Sequence, residues 1–143
     1  MQKNLSKTCA SKIAKEFPVE LVYLFGSRAK ETNTNASDYD FAVLLSSKIA
    51  PKQYSRYKLK ITESLLEILP KNTYGDVVIL NDRGLSSLLK FNIIKDGELL
   101  YEHSRERKIN TESTIMREWY DQEYFERLWH TIFTRQLARG KII

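Results

Sequence analysis

From Leu5 to Phe17 the apolar positions Leu5, Cys9, Ile13 and Phe17 fall four apart, which is one face of a helix. Pro18 ends that pattern, and Glu20–Phe25 follows as a nearly continuous apolar run, the mark of a strand covered on both faces. After Gly26 and Ser27 the chain turns polar from Arg28 to Ser37, predicting a short helical turn and then a loop. Tyr39–Leu45 is a second apolar strand. Pro51 opens a helix over Lys52–Leu69, with Tyr54, Tyr57 or Lys58, Ile61, Leu65 and Ile68 at helical spacing, and Pro70 closes it. Tyr74–Leu80 reads as a third strand, and Asn81 with Asp82 as the cap of a helix over Leu85–Lys95. Asp96 and Gly97 turn the chain into a fourth strand, Glu98–Tyr101. From Ser104 onward a long helix is predicted, because Thr111–Arg139 contains neither proline nor glycine.

The order is therefore helix, strand, helix, strand, helix, strand, helix, strand, helix: an α/β layer arrangement in one domain spanning residues 1–143. The pattern alone leaves open whether the sheet is parallel or mixed. No repeat, low-complexity tract or linker interrupts it.

Composition narrows the function classes. With 42% hydrophobic and 29% charged residues the chain can bury a real core. A net charge of +5 and a pI near 9.3 favour anionic ligands such as nucleoside triphosphates, or an acidic partner. The Lys and Arg residues are dispersed, so direct nucleic-acid binding is not expected. The single cysteine, Cys9, rules out an intrachain disulfide and reads as a small buried hydrophobe. There is no signal-peptide core and no apolar run of the ~18 residues a membrane span requires. The expectation is a soluble cytoplasmic protein.

One segment carries chemistry. Gly26 and Ser27 are followed, ten residues later, by Asp38 and Asp40 in a D-x-D pattern. Glycine directly after a strand permits a sharp turn and close approach of backbone to ligand. Ser27 then begins a helical turn whose free N–H groups and hydroxyl can hold phosphate oxygens. Side chains at i and i+2 of a strand share a face, so Asp38 and Asp40 stand together. Paired carboxylates repel unless protonated or bridged by a cation. For an oxygen-only site beside phosphates that cation is Mg²⁺. Asp76 opens the next strand, and if that strand neighbours Tyr39–Leu45 it reaches the same site. Two metal ions there would serve an in-line displacement, with Asp76 as a metal ligand or as base for the incoming hydroxyl.

The run Phe25–Ala29 with Ser37–Val43 resembles the DNA polymerase β-type nucleotidyltransferase superfamily. Within it the chain resembles the minimal nucleotidyltransferase (MNT) antitoxins, the MntA family of the HEPN/MNT (type VII) toxin–antitoxin modules. Asp76–Asn81 and Ile93–Tyr101 are similar to that family too, so the resemblance spans about residues 20–102, ahead of the C-terminal helix at about 104–139. It implies a four-stranded mixed sheet flanked by helices, Mg²⁺ (two ions) and ATP. It further implies Gly26 and Ser27 as the phosphate-binding pair, Asp38 and Asp40 as metal ligands, and Asp76 as the third carboxylate. Members of the family transfer AMP to a tyrosine of a cognate HEPN RNase toxin and so silence it. Lys30 departs from the pattern, since many relatives carry glycine there. The alternatives are an antitoxin acting by sequestration alone, or a transferase acting on a small molecule such as an aminoglycoside.

Other features are less specific. Arg28 follows Ser27 and is a candidate contact for the triphosphate, or else a solvated loop residue. His103 and His130 have no metal-ligand spacing and read as surface residues. The eight tyrosines mostly occupy apolar positions and read as packing. In the last helix Met116, Tyr120, Tyr124, Leu128 and Ile132 form one stripe, expected to cover the sheet. Trp119, Phe125, Trp129, Phe133 and Leu137 broaden it, either as further buried packing or as an anchor surface for a partner.

Overall fold

The computed structural model describes residues 2–29 and 38–140. Its elements are α1 (Gln2–Glu16), β1 (Val19–Phe25), a 3-10 turn (Gly26–Arg28) and β2 (Tyr39–Leu45). After a second 3-10 turn (Pro51–Gln53) come α2 (Tyr54–Leu66), β3 (Gly75–Ile79), α3 (Ser87–Asp96), β4 (Glu98–Glu102) and α4 (Arg105–Ala138). The loop expected over 30–37, with Lys30, lies outside the described residues. Within them, no helix is long and apolar enough to cross a membrane.

The sheet order is β3-β2-β1-β4 and the sheet is mixed. β1 runs antiparallel to both β2 and β4, whereas β2 and β3 are parallel. This resolves the question that hydrophobic pattern leaves open. The parallel pair needs a crossover, which α2 supplies; the antiparallel pairs do not.

Strand alternation divides the core in two. Tyr39, Phe41, Val43 and Leu45 of β2 pack with Val22 and Leu24 of β1 against α1 and α2, around Cys9, Ile13, Ile61 and Leu65. Ala42 and Leu44 face the other way, with Leu21, Tyr23 and Leu80, against Ile93 of α3. Both faces of β1 and β2 are thus buried, which is why their sequences are apolar throughout. Burial holds the Cys9 thiol up to about 11, so this cysteine is a packing group.

Three local expectations change. Asn81 does not cap α3; Ser86 does, its hydroxyl accepting from the Leu89 N–H at 3.1 Å. Asn81 instead clasps the end of β2. Its Oδ1 accepts from the Leu45 N–H at 2.7 Å and its Nδ2 donates to the Leu45 carbonyl at 3.0 Å. An amide that mimics a peptide unit extends the ladder two residues beyond the end of β3, and Asn81 stands five residues ahead of Ser86, too far upstream to cap α3. Asp82 closes an Asx turn through the Gly84 N–H at 2.9 Å.

The second change is α4. Its first half is held by the Ser104 cap, the Arg107–Glu20 ion pair, the Tyr23 hydroxyl donating to Glu112 at 2.6 Å, and Phe91 stacked on Trp119 at 5.3 Å. Ile115 is its one buried residue among those described. At ~1.5 Å per residue, a helix of 34 residues runs ~51 Å and outreaches the sheet. Tyr124, Phe125 and Trp129 are 61%, 64% and 63% exposed. All five residues of the stripe expected to cover the sheet, Met116, Tyr120, Tyr124, Leu128 and Ile132, are exposed, and it is Ile115 that is buried. Five of the eight tyrosines, Tyr23, Tyr39, Tyr54, Tyr57 and Tyr101, pack in the core or against it as expected; the third change is that Tyr74, Tyr120 and Tyr124 are exposed, Tyr120 with its ring edge-on to Phe91. His103 and His130 are exposed, as expected.

Asn81→Ala removes two hydrogen bonds at the end of the central strand. The expected loss is ~1–3 kcal/mol, read as a lower urea midpoint at unchanged slope by circular dichroism.

Candidate active site

The acidic residues meet at one end of the sheet because of register. Asp40 pairs with Asp76 across the parallel β2–β3 ladder, and with Phe25 across the antiparallel β1–β2 ladder. Paired residues in neighbouring strands project to the same side, so Asp40 and Asp76 share a face. Asp38, two residues before Asp40, belongs to that face by alternation. It is the face of Ala42 and Leu44, toward α3. Asp38 and Asp76 are exposed and Asp40 is half-buried.

Gly26 explains how Asp40 is held. Its φ of +75° lies in the left-handed region, where the chain leaves β1 and enters the 3-10 turn. A Cβ there would stand 2.4 Å from Asp40 Oδ2. The carboxylate occupies the space a side chain would fill, so glycine is required twice, for conformation and for room. Ser27 sits half-buried in the turn, which the Ala29 N–H closes onto the Gly26 carbonyl.

The electrostatics follow. Burial raises the Asp40 pKa above the ordinary carboxylate value, and the neighbouring charges of Asp76 and then Asp38 raise it further. Among the described residues no three His, Cys, Asp or Glu side chains converge on one metal-sized point, so the carboxylates are neighbours on one face and not a closed chelate. The donor set is oxygen only, one member is pinned by Gly26, and a hard divalent cation such as Mg²⁺ fits it.

Arg28 does not join this group. It is buried, with its guanidinium carbon 3.9 Å from the centroid of the Tyr39 ring. Tyr39 belongs to the opposite face of β2, packed with Phe41. The residue between two aspartates of a strand must point away from them, so Tyr39 was recoverable from alternation as the counterpart of the site. The stacking of Arg28 on Tyr39 ties the turn after β1 to the start of β2. A separate cleft of about 850 Å³ lies at the far ends of β2 and β3, lined by Leu44, Leu80, Asn81, Arg83, Lys90 and Arg107 among others. Sequence pattern gave no signal for it, and it contains none of the three aspartates.

A family model described as "Polymerase beta, Nucleotidyltransferase" matches residues 7–106. Among solved structures, a toxin–antitoxin with AMP-PNP is 19% identical with a TM-score of 0.66, covering 92% of this chain and 98% of that chain. A tri-AMPylated Shewanella oneidensis HEPN toxin in complex with MNT antitoxin gives 18%, 0.63, 94% and 99%. A toxin–antitoxin MntA–HepT structure gives 18%, 0.61, 94% and 99%. At these identities the likeness is one of fold. No curated protein matches the chain.

Two outcomes test the geometry. The Asp40 carboxyl binds its proton more tightly in the folded chain than in the unfolded one. Its ionisation therefore costs stability as pH rises from the unfolded carboxylate range through the raised folded value. Asp40→Asn should melt above the parent at pH 8 without divalent ions, and the gap should close below about pH 4. Gly26→Ala should destabilise by ~1–3 kcal/mol through backbone strain and further through its clash with the Asp40 carboxylate, so in the same melts it should cost less in an Asp40→Gly background than in the parent.

Proposed function

Because the chain belongs to the polymerase β nucleotidyltransferase family, we propose that it transfers AMP from ATP to a tyrosine hydroxyl of a cognate HEPN-type RNase toxin and thereby acts as its antitoxin. The observation that carries this reading is the register of Asp40 with Asp76 beneath the Gly26 turn. Structures named for toxin–antitoxin complexes, one with AMP-PNP and one with an AMPylated toxin, support the choice of nucleotide and acceptor.

The chain's own groups divide the work. Gly26 and Ser27 offer the turn backbone and the hydroxyl to the β- and γ-phosphate oxygens. Arg28 supports that turn from behind through Tyr39, so its part in phosphate binding is indirect. Asp38 and Asp40 would hold Mg²⁺, with Asp76 as the third carboxylate of a two-ion site. When bound, Mg²⁺ neutralises the triphosphate and the developing charge on the leaving pyrophosphate. Asp76, exposed at the start of β3, meets the incoming tyrosine hydroxyl and accepts its proton. The hydroxyl oxygen forms a bond to the α-phosphorus, the bond from that phosphorus to the β-bridging oxygen breaks, and pyrophosphate departs in line. Positioning and charge stabilisation supply most of the acceleration.

The test is incubation with α-labelled ATP, Mg²⁺ and the toxin. The parent should label the toxin and lower its RNase activity. Asp38→Asn and Asp40→Asn should each lower labelling at least ~100-fold, since a lost charge contact to the transferring group is several kcal/mol. Neutralisation without label would favour sequestration, and label confined to a small molecule would favour the aminoglycoside-type reading. Mg²⁺ should raise the melting temperature of the parent more than that of Asp40→Asn.

A further inference from the structure

The outer half of α4 carries a pattern that neither the fold nor the transfer site uses. Positions 118, 121, 125, 128, 132, 135 and 139 are spaced alternately by three and four residues, the seam of a coiled coil. From position 121 onward they lie on the side of α4 away from Ile115 and Trp119, the residues that meet the domain, whereas Glu118 lines the cleft beside Ile115 and Lys90. The middle of the seam is apolar: Phe125, Leu128 and Ile132, of which Phe125 is 64% exposed. Its ends are charged and of opposite sign, Asp121 before the centre, Arg135 and Arg139 after it.

This arrangement is self-complementary on reversal about Leu128. In an antiparallel pair Phe125 of one copy lies against Ile132 of the other, and Leu128 meets Leu128. Asp121 then faces Arg135. In a parallel pair each of these charges would face its own like, which is unfavourable at either end. Tyr124 and Trp129, both more than 60% exposed, flank the seam on opposite sides and widen the contact. The exposed apolar side chains on and beside the seam, Tyr124, Phe125, Leu128, Trp129 and Ile132, present on the order of 500 Å² per copy if each contributes about half of an aromatic side chain's area. That is below the ~800 Å² per partner of a standard stable interface and suits a concentration-dependent pair.

We propose that the outer half of α4 is a self-association surface, through which two copies of this chain pair antiparallel about Leu128. The proposal does not rest on the transfer reading. It is tested by sedimentation equilibrium and light scattering of the full chain alone, at concentrations from 1 to 100 µM. The expected mass is twice 16.8 kDa. Leu128→Glu should give the monomer mass while leaving the thermal melt of the domain in place. Arg135→Asp should weaken pairing at least tenfold, and Asp121→Arg combined with it should restore pairing, since the swapped charges again meet their opposites. A parent that stays at 16.8 kDa throughout this range overturns the proposal. So does a dimer that survives Leu128→Glu, or a double swap that fails to restore pairing. A monomer that binds only a helical partner protein, with binding lost on Leu128→Glu, assigns the seam to that partner and overturns self-pairing.

Discussion

The register of β2 against its two neighbours is the constraint on which the molecule turns. β2 is antiparallel to β1 on one side and parallel to β3 on the other, and it is buried on both faces. A shift of one residue on either side would send Tyr39, Phe41 and Val43 toward α3 and the aspartates into the α1–α2 core. The apolar volume of that core thus sets the position of the charges. Burying Asp40 beside two other carboxylates opposes folding, and its raised proton affinity records the burial first and the neighbouring charges of Asp76 and Asp38 after it. The fold tolerates it because the acidic residues sit at the strand ends, where Asp38 and Asp76 reach solvent.

Much of this was legible in sequence because each strand bears a strong signal. The runs 20–25 and 39–45 locate β1 and β2 almost to the residue, and the glycine between them marks the turn. Strand order was less accessible. The sequence carries no local record that β1 lies between β2 and β4, since that arrangement is decided by which faces α1 to α3 can cover together. Asn81 illustrates a finer limit. Its type is that of a cap, and only its position one residue past Leu80, beside the end of β2, turns its amide into a substitute peptide bond.

Arg28 and α4 show the same limit at larger scale. Next to a serine in such a turn, an arginine reads as a ligand contact, and sequence gives no sign that its guanidinium stacks on Tyr39. In α4, periodicity reveals an apolar face but not what covers it. A helix is expected to bury its stripe on its own sheet, yet after Ile115 there is no sheet left to cover. The tie from Tyr23 to Glu112 and the stack of Phe91 on Trp119 fix where contact ends.

These attachments also set the direction of the projecting half. α3 begins beyond the C-terminal end of β3 and runs back to Gly97, which abuts the Leu24 carbonyl near the carboxylate end. α4 runs against it, with Glu112 and Lys95 in one groove and Gln122 hydrogen-bonded to Ser87 at the first turn of α3. Beyond Gln122 it therefore leaves the domain past the end of the sheet remote from Asp40 and Asp76. A surface placed there can bind without crossing the approach to the carboxylates. An antiparallel pair formed through it would hold the two carboxylate clusters at the outer ends of the particle, each open to solvent. The proposed association and the proposed transfer are then separable by construction: one would rest on the side chains of a helix beyond the core, the other on the register of a strand within it.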